Sequence, residues 1–236
     1  MKKFILEQSV LDLFPQAEIG ILVLHGVDNH IKEEDRFAPW LRSCEKLSAK
    51  YVTEEEWLEN PVVKTWRDAF YKFKTKKGAR CSIEALLKRV KNGGEIGCIN
   101  PLVDIYNGIS LKYGMPIGGE NIDKFDGDMR LAVAEGGEGF VTYGSDKDEP
   151  ALQGEVIYKD NTGAICRCWN WRESVRTMLT EDVQNAFMVI EQVDSSRHAE
   201  LLAALEELGA EISKNLGASV QSYVATAQNP EIVIEE

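Results

Sequence analysis

The hydrophobic pattern of this chain changes its period near Gly114, and that change restricts the folds open to it. From Arg36 to that point, apolar residues recur at the three- and four-residue spacing of amphipathic helices. Beyond it, they alternate in short runs separated by clusters of Gly, Asp, Asn and Pro, as the hairpins of an antiparallel sheet require. No repeat or low-complexity linker divides the 236 residues. The pattern predicts one α+β unit with a mainly antiparallel sheet and packed helices.

Local signals set the approximate bounds of the elements. Helices are predicted over 36–74, with a break near Pro61, over 82–92 and over 100–114. A last helix runs from Ser196 to about Leu216, and its leucine stripe is expected to be buried within the chain rather than against a second subunit. A polar tail is predicted at the C-terminus. Strands are predicted over 18–24, 128–134, 140–143, 155–158, 165–171, 186–190 and 220–225.

Composition and charge exclude several classes of protein. The chain is 44% hydrophobic but has no run of about 18 apolar residues. Glu7 and Asp12 interrupt the N-terminal segment, where a signal peptide is continuously apolar. We therefore expect a globular cytoplasmic protein with no membrane partner. The net charge of −12 opposes strong non-specific binding of nucleic acid.

The five cysteines do not predict a disulfide framework, because their number is odd and their spacing is irregular. Cys166 and Cys168 form a C-x-C pair, which is one route to a metal site. No second cysteine pair and only three histidines accompany it, so buried reduced thiols are the favoured interpretation. No cofactor and no metal are predicted.

The helix over 100–114 carries polar residues of an unusual kind. Its apolar and aromatic residues form a core stripe, while Asn100, Asp104 and Asn107 fall together on the opposite side. A merely solvated helix face normally carries Lys, Glu and Arg, whereas Asn and Asp have poor helix propensity. Short polar groups on a rigid element suit recognition of a ligand. The alternative is that they only tie down neighbouring loops.

Two glycines follow this helix at a turn. Gly118 and Gly119 come directly after Met115-Pro116-Ile117 and remove side chains from the chain there. Backbone N–H groups can then approach a ligand closely. The same pair is also common in plain structural turns, so both interpretations stay open.

The segment CRCWNWR, over 166–172, is predicted to continue a strand. Alternation would place Arg167, Trp169 and Trp171 on one face, and the opposite face would hold Cys168, Asn170 and Arg172. The tryptophans either pack in the core or form a wall that stacks an aromatic amino acid or the terminal adenine of a tRNA.

Positive charge is concentrated between Lys64 and Lys91. This stretch contains seven Lys and three Arg against two acidic residues, a local charge of +8. It is either the ordinary solvated face of two helices or a patch that docks RNA. The candidates for RNA contact are Lys74, Lys76, Lys77 and Arg80.

Three motifs carry a resemblance to a known family: NPLVDIYNGISLKYGMPIGGENIDKFDGDMRLA over 100–132, GEVIY over 154–158 and WNWR over 169–172. In these motifs the chain resembles the B3/B4 domain of the bacterial phenylalanyl-tRNA synthetase β subunit, and more closely the stand-alone B3/B4 proteins. The resemblance is strongest over 78–192. It implies that 1–236 is a single B3/B4-like domain with an N-terminal helical elaboration over about 1–75.

The resemblance also implies a partner and a chemistry. The partner would be tRNA or aminoacyl-tRNA, with a small amino acid as a further candidate ligand. In the synthetase, the Glu that matches Glu173 helps to select tyrosine through its hydroxyl group, whereas an exposed turn residue is the alternative here. The residues implied in substrate binding are Asn100, Asp104, Asn107, Gly118, Gly119, Asn170, Arg172 and Glu173.

One position departs from the family pattern. The synthetase editing domain usually has Gln-Pro-x-His at the turn, with the His lining the hydrolytic site, and Gly118 stands at that position here. No nucleophile is visibly paired with a base, so the catalytic residues are unassigned. Hydrolysis would depend on a water molecule oriented by amides, backbone groups and the ribose hydroxyl of the substrate.

Two hypotheses of function follow. The leading one is binding of aminoacyl-tRNA with hydrolysis in trans of a wrongly attached amino acid, which would make the protein an ester hydrolase. The competing one is a non-catalytic binder of an amino acid, a nucleotide-like ligand or a tRNA end. Gly118 and the net charge of −12 favour the second.

Overall fold

A computed structural model describes residues 1–235 of the chain and contains two β-sheets packed with six α-helices. The helices are α1 (Gln8–Leu11), α2 (Ala38–Ser48), α3 (Pro61–Phe70), α4 (Ser82–Lys91), α5 (Pro101–Tyr113) and α6 (His198–Leu216). The strands are β1 (Lys2–Leu6), β2 (Glu18–His25), β3 (Ile117–Asn121), β4 (Met129–Val133), β5 (Val156–Lys159), β6 (Ala164–Arg167), β7 (Arg172–Glu173), β8 (Asn185–Gln192), β9 (Ser219–Ala225) and β10 (Glu231–Glu235).

Nearly all strand pairs are antiparallel, which confirms the predicted α+β class. One sheet has six strands in the order β10-β1-β4-β5-β6-β7, and the other has four in the order β3-β8-β2-β9. Among the described strands, β1 and β4 form the one parallel pair. None of the described helices combines the length and apolar character needed to cross a lipid bilayer.

Alternation along β2 and β8 divides the molecule into layers. On β2, Ile19 and Ile21 enter the core between the two sheets, whereas Leu22 enters a second core against α5 and α6. On β8, Phe187 faces the first core and Met188 faces the second. Both faces of β2 and β8, the two inner strands of the four-stranded sheet, are therefore covered, so these two strands read as nearly continuous apolar runs.

Caps fix the bounds of α5, which match the sequence prediction. The side chain of Asn100 accepts a hydrogen bond from the Val103 N–H, which makes it the N-cap, and Pro101 occupies the first turn. Gly114 ends the helix in the left-handed region at φ 61°. Its missing side chain also leaves room for the Tyr51 ring, which an added Cβ would meet at 2.8 Å.

The prediction of a single strand over 165–171 is wrong. β6 ends at Arg167, because Cys168 and Trp169 adopt positive φ values of 47° and 63°. The Asn170 N–H donates to the Cys168 carbonyl and the Trp171 N–H donates to the Arg167 carbonyl, which makes a tight turn. The predicted alternation of side chains over this segment therefore does not hold.

Two smaller predictions are also wrong. Residues 140–143 form no strand; the backbone of Phe140 pairs with its own loop, through the Asp148 carboxylate and the Glu149 N–H. The polar tail contains β10, which is an edge strand of the six-stranded sheet. Its Ile232 and Ile234 are buried in the hydrophobic core.

The N-terminal residues are more deeply integrated than the sequence suggested. β1 is an inner strand of the six-stranded sheet, and β2 is an inner strand of the four-stranded sheet. Residues before 75 therefore contribute strands to both sheets, including the strand predicted over 18–24, as well as the helices α2 and α3. That the whole chain forms one domain stays a prediction.

Candidate functional site

A cavity of about 320 Å³ lies where the two sheets and two helices meet. We call it the central cavity. Its floor comes from β8, on which Phe187, Val189 and Glu191 project to the same side at two-residue spacing. The neighbouring strand β3 contributes Gly118 and Glu120 at the same spacing. The opposite wall comes from β4, β5, β6 and the turn after β6.

Helices α4 and α5 close one side of the central cavity. Tyr106 and Asn107 of α5 and Ser82 at the start of α4 line it. Asn107 is buried, so its amide is held on a rigid helix away from bulk water. This side combines an aromatic ring with short polar groups, the composition expected of a small-molecule site.

Three glutamates are the main charged groups of the cavity: Glu120, Glu173 and Glu191. Glu120 and Glu191 are buried and Glu173 is partly buried. Among residues 1–235, none of the three forms an ion pair. Glu191 accepts hydrogen bonds from the Tyr158 hydroxyl at 2.5 Å and the Asn170 amide nitrogen at 2.7 Å.

Burial favours the protonated form of these carboxyls. It raises the pKa of Glu173 to about 7 and, with the nearby charge of Glu173 adding to the effect, the pKa of Glu191 to about 7. Burial and the charge of Glu173 hold the pKa of Glu120 well above its ordinary value. An ionised Glu173 repels the charge of both Glu120 and Glu191, so the titrations of the three groups are linked.

The two tryptophans of the WNWR motif have different positions. Trp169 is fully buried, with its ring 4.9 Å from the Phe14 ring and 5.2 Å from the Trp66 ring, while one edge reaches the cavity. Trp171 is partly exposed, and the guanidinium group of Arg172 lies over its ring, 4.9 Å from the ring centre. Trp171 and the exposed Arg172 therefore mark the mouth of the cavity.

The segment 74–80, which we call the basic segment, lies beside this mouth. Nζ of Lys76 is 6.0 Å from the Trp171 ring centre and pairs with Glu149, and the Lys76 N–H donates to Sγ of Cys168 at 3.4 Å. Lys74 and Lys77 are exposed. The segment then leads directly into α4, so the same stretch of chain supplies both the basic groups and one side of the cavity.

The structure brings six of the eight predicted substrate-binding residues to the central cavity: Asn107, Gly118, Gly119, Asn170, Arg172 and Glu173. It places Asn100 and Asp104 elsewhere. Asn100 caps α5 and donates to the Leu179 carbonyl, and Asp104 accepts the Ile99 N–H at 2.7 Å. Both side chains therefore hold the start of α5, about one turn (Asp104) and two turns (Asn100) before the cavity residue Asn107.

Sequence reasoning missed Glu120 and Glu191. A signal existed for Glu191, because it stands in the apolar strand AFMVIEQ, in phase with Phe187 and Val189. A carboxyl on the buried face of such a strand is unusual and indicates a functional group. Glu120 directly follows the two glycines, and the assignment of that segment as a turn concealed its alternation in β3.

The thiols next to the cavity are reduced. Cys166 and Cys168 are both buried free cysteines, and burial raises the pKa of Cys168 to about 11. The positive φ of Cys168 turns it away from the strand alternation on which a C-x-C metal site would depend. Within residues 1–235, no group of three or more His, Cys, Asp or Glu side chains is arranged to hold a metal ion.

A concave space between two sheets, lined by apolar, amide and carboxyl side chains, has the composition in which proteins commonly hold small ligands. The model of the B3/4 domain family matches residues 65–213, more than half of the chain. The chain is therefore a member of the B3/4 domain family. The match spans every cavity residue named above.

One solved structure is similar over most of the chain. It is an N-terminal fragment of the phenylalanyl-tRNA synthetase β-subunit from Pyrococcus horikoshii, with 12% sequence identity and a TM-score of 0.45. The alignment covers 94% of this chain and 53% of that fragment, so the chain spans about half the fragment's length. No curated protein sequence matches the chain.

Proposed function

We propose that this chain binds the aminoacylated 3′ end of a tRNA, with the amino acid in the central cavity and the RNA backbone along the basic segment. One observation carries the proposal: Lys76 of the basic segment lies against Trp171, which itself lines the mouth of the cavity. A ligand seated in the cavity would leave it past this pair. A polyanion attached to that ligand would then meet positive charge immediately outside.

The dimensions and walls of the cavity support an amino acid as the enclosed part. A volume of about 320 Å³ is at the small end of ligand sites, which excludes a whole nucleotide chain but admits one side chain with its carbonyl group. Tyr106 and Phe187 offer apolar and aromatic surface, and Asn107 and Asn170 offer amides that fix orientation. Trp171 at the mouth could stack the terminal base.

Charge distribution supports RNA outside the cavity and opposes it elsewhere. The chain has a net charge of −12, yet the stretch that holds the basic segment carries +8. The remaining surface would repel a polyanion, so binding would be confined to this region. We also propose that the chain acts as one domain, which the adjacent positions of β1 and β10 in one sheet support.

Hydrolysis of the bound ester is the further step that we propose. Water would add to the ester carbonyl carbon, the ribose oxygen would leave and take a proton, and a free amino acid and uncharged tRNA would result. Asn107 and Asn170 would orient the water and the carbonyl group. Gly118, in place of the histidine of the synthetase domain, favours the alternative of binding without hydrolysis.

The test is an assay of the purified chain against a panel of correctly charged and mischarged tRNAs. We expect binding of the aminoacylated form and faster deacylation of at least one mischarged pair than in a reaction without protein. No binding to any tRNA would overturn the proposal. Binding with no acceleration of deacylation for any pair would leave the non-catalytic alternative as the function.

Reversal of charge in the basic segment tests whether RNA binds there. Lys74→Glu with Lys77→Glu should weaken tRNA binding about tenfold or more and reduce the slope of log K against log salt by about 0.7 for each phosphate that is no longer neutralised. The matched control, Lys46→Glu with Lys214→Glu, makes the same charge change at exposed positions on α2 and α6. Equal weakening in both double variants would mean that the basic segment is an ordinary solvated face.

A further inference from the structure

The carboxyl groups inside the central cavity have no cationic partner at ion-pair distance among residues 1–235. Of the residues that line it, three are glutamates and one is an arginine, and that arginine is exposed at the mouth. In most folded proteins a buried carboxylate is paired with a cation, because transfer of an isolated charge out of water is costly. Elsewhere in this molecule that rule holds: buried Glu155 is paired with Arg167 at 2.6 Å.

Two acceptor atoms on opposite walls add to this imbalance. Oε2 of Glu120 and Oδ1 of Asn170 are buried, belong to residues that line the cavity, and have no hydrogen-bond partner among the described residues. Glu120 is only 5% exposed, so bulk water does not solvate it freely. The Trp169 Nε1–H is an unpaired donor of the same lining, so the unpaired acceptors still outnumber the unpaired donors, which suits a group that only donates.

We propose that Glu120, Glu173 and Glu191 bind the protonated α-amino group of an acylated amino acid, and that they exclude the free amino acid. This inference rests on the proposed function and names the part of the substrate that the cavity recognises. An ammonium group has three N–H donors and no acceptor, so it can satisfy a carboxylate and the Asn170 amide oxygen together. Its positive charge offsets glutamates that form no ion pair among the described residues; Arg176 acts on Glu120 without pairing with it and is itself paired with Asp160.

Exclusion of the free amino acid follows from the same charges. The α-carboxylate of a free amino acid lies within one bond of the carbon that carries the ammonium group. Seating the ammonium among the glutamates therefore brings a fourth carboxylate into a site of low dielectric. An ester or amide has no charge at that position. The cavity would thus accept aminoacyl-tRNA while free amino acids, including the product of hydrolysis, would be released.

Binding of an ammonium group should release protons from the glutamates. Because the carboxyls hold protons near neutral pH without the ligand, the ligand must displace them before it can pair. Affinity should rise as pH rises from about 5.5 to about 7, over which Glu173 and Glu191 change from almost fully protonated to about half ionised. Tyr106, Tyr158 and Cys166 stay protonated over this interval, since burial raises the pKa of each above its ordinary value.

The experiment is calorimetry of the full chain with three probes for each of several aromatic and aliphatic amino acids: the amide, the N-acetyl amide and the free amino acid. We expect at least one amide to bind at least about tenfold more tightly than both partners in its set, because it alone presents an ammonium without a carboxylate. Equal affinity for the amide and its N-acetyl form, or no binding of any amide, would overturn the inference.

Variants assign the effect to the cavity. Glu120→Gln should weaken the best amide about tenfold and reduce the number of protons released, while leaving affinity for the N-acetyl amide unchanged. The matched control is Glu206→Gln, an exposed glutamate on α6. Equal loss of amide affinity in both variants would contradict the assignment.

The result is separable from that of the tRNA assay. Preferential binding of an amide by a chain that binds no tRNA would support ammonium recognition and reject the proposed function. Binding of aminoacyl-tRNA with the same affinity as N-acetyl-aminoacyl-tRNA would support the proposed function and reject ammonium recognition.

Discussion

At the scale of single residues, three glycines near the cavity have different reasons for lacking a side chain. A Cβ on Gly108 would lie 2.1 Å from Cζ3 of the Trp40 ring, so the glycine lets α2 and α5 pack closely. A Cβ on Gly119 would lie 2.3 Å from Sδ of Met188, in the core behind the sheet. A Cβ on Gly118 would meet nothing closer than Oε1 of Glu173 at 3.5 Å. Of these three glycines, only Gly118 leaves room for a side chain, on the side of the sheet that lines the cavity.

Substitution by alanine should separate these roles. Gly108→Ala should lower the free energy of unfolding by about 2 kcal/mol despite the better helix propensity of Ala, because a rigid indole ring must move. Gly118→Ala should leave stability within about 0.5 kcal/mol of the parent, since the added methyl makes ordinary contacts. Urea denaturation measures both, and a larger loss of stability for Gly118→Ala than for Gly108→Ala would contradict this explanation of the packing.

At this scale the sequence predicted which residues line the central cavity better than it predicted the role of each residue. Asn107, Asn170 and Glu173 were predicted from a polar helix face and from family motifs, and they line the cavity. The role of Gly119 was not predictable, because its neighbour Met188 is 69 residues away and nothing local reveals their close approach. The positive φ of Trp169 was not predictable either, since a buried aromatic cluster holds a conformation that the residue itself disfavours.

At the scale of elements, α5 uses its polar residues for two separate purposes. Its first turn is fixed by Asn100, which caps the helix and accepts from the Asn29 amide at 3.1 Å, while Asn29 accepts the Leu102 N–H at 2.8 Å. Further along the helix, Asn107 lines the central cavity. A helical wheel groups the two asparagines on one face, but a helix end differs from a helix middle because its N–H groups lack partners.

The two asparagines should therefore respond differently to alanine. Asn100→Ala should cost about 2 kcal/mol of stability, since it removes a cap and leaves buried polar groups unpaired, and affinity for the ligand should be unchanged in the folded fraction. Asn107→Ala should lower affinity about tenfold with little loss of stability. Thermal unfolding measures the stability of both variants, and titration with the ligand measures their affinity. A loss of affinity in Asn100→Ala alone would return that residue to the binding site.

The predicted bounds of elements failed where tertiary contacts override local pattern. Helix α5 was bounded correctly, because Asn100, Pro101 and Gly114 are local signals. The strand predicted over 165–171 was wrong, because CRCWNWR contains no Gly or Pro to announce the turn after β6. Strand β10 was missed because a short run with two buried isoleucines becomes a strand only where β1 offers an edge.

At the scale of the whole molecule, the cavity makes stability depend on pH. Glu173 and Glu191 have a pKa of about 7 in the folded chain, above the ordinary value of 4.5 expected when the chain is unfolded. Between these values the folded chain holds more protons than the unfolded chain, so the free energy of unfolding falls as pH rises. This contribution is fully present below about pH 4.5 and is lost by the time pH exceeds about 7.

We therefore expect a higher urea midpoint at pH 5.5 than at pH 8. Glu191→Gln should reduce that difference, because an amide cannot ionise and the remaining two glutamates lose a repulsive neighbour. Glu206→Gln, at an exposed position on α6, should leave the difference as it is in the parent. A midpoint that rises from pH 5.5 to pH 8, or an unchanged difference in Glu191→Gln, would show that the cavity glutamates do not govern stability.

The layered arrangement also determines when the molecule can fold. Strand β2 is an apolar run whose two partners, β8 and β9, begin at residues 185 and 219. During synthesis, about 160 more residues must therefore be added after β2 before β8, its first hydrogen-bonded neighbour, begins. Pairing at such sequence separation slows folding, and an unpaired apolar strand invites association with other chains. Nascent chains of this protein should thus depend on chaperones that shield the first 25 residues.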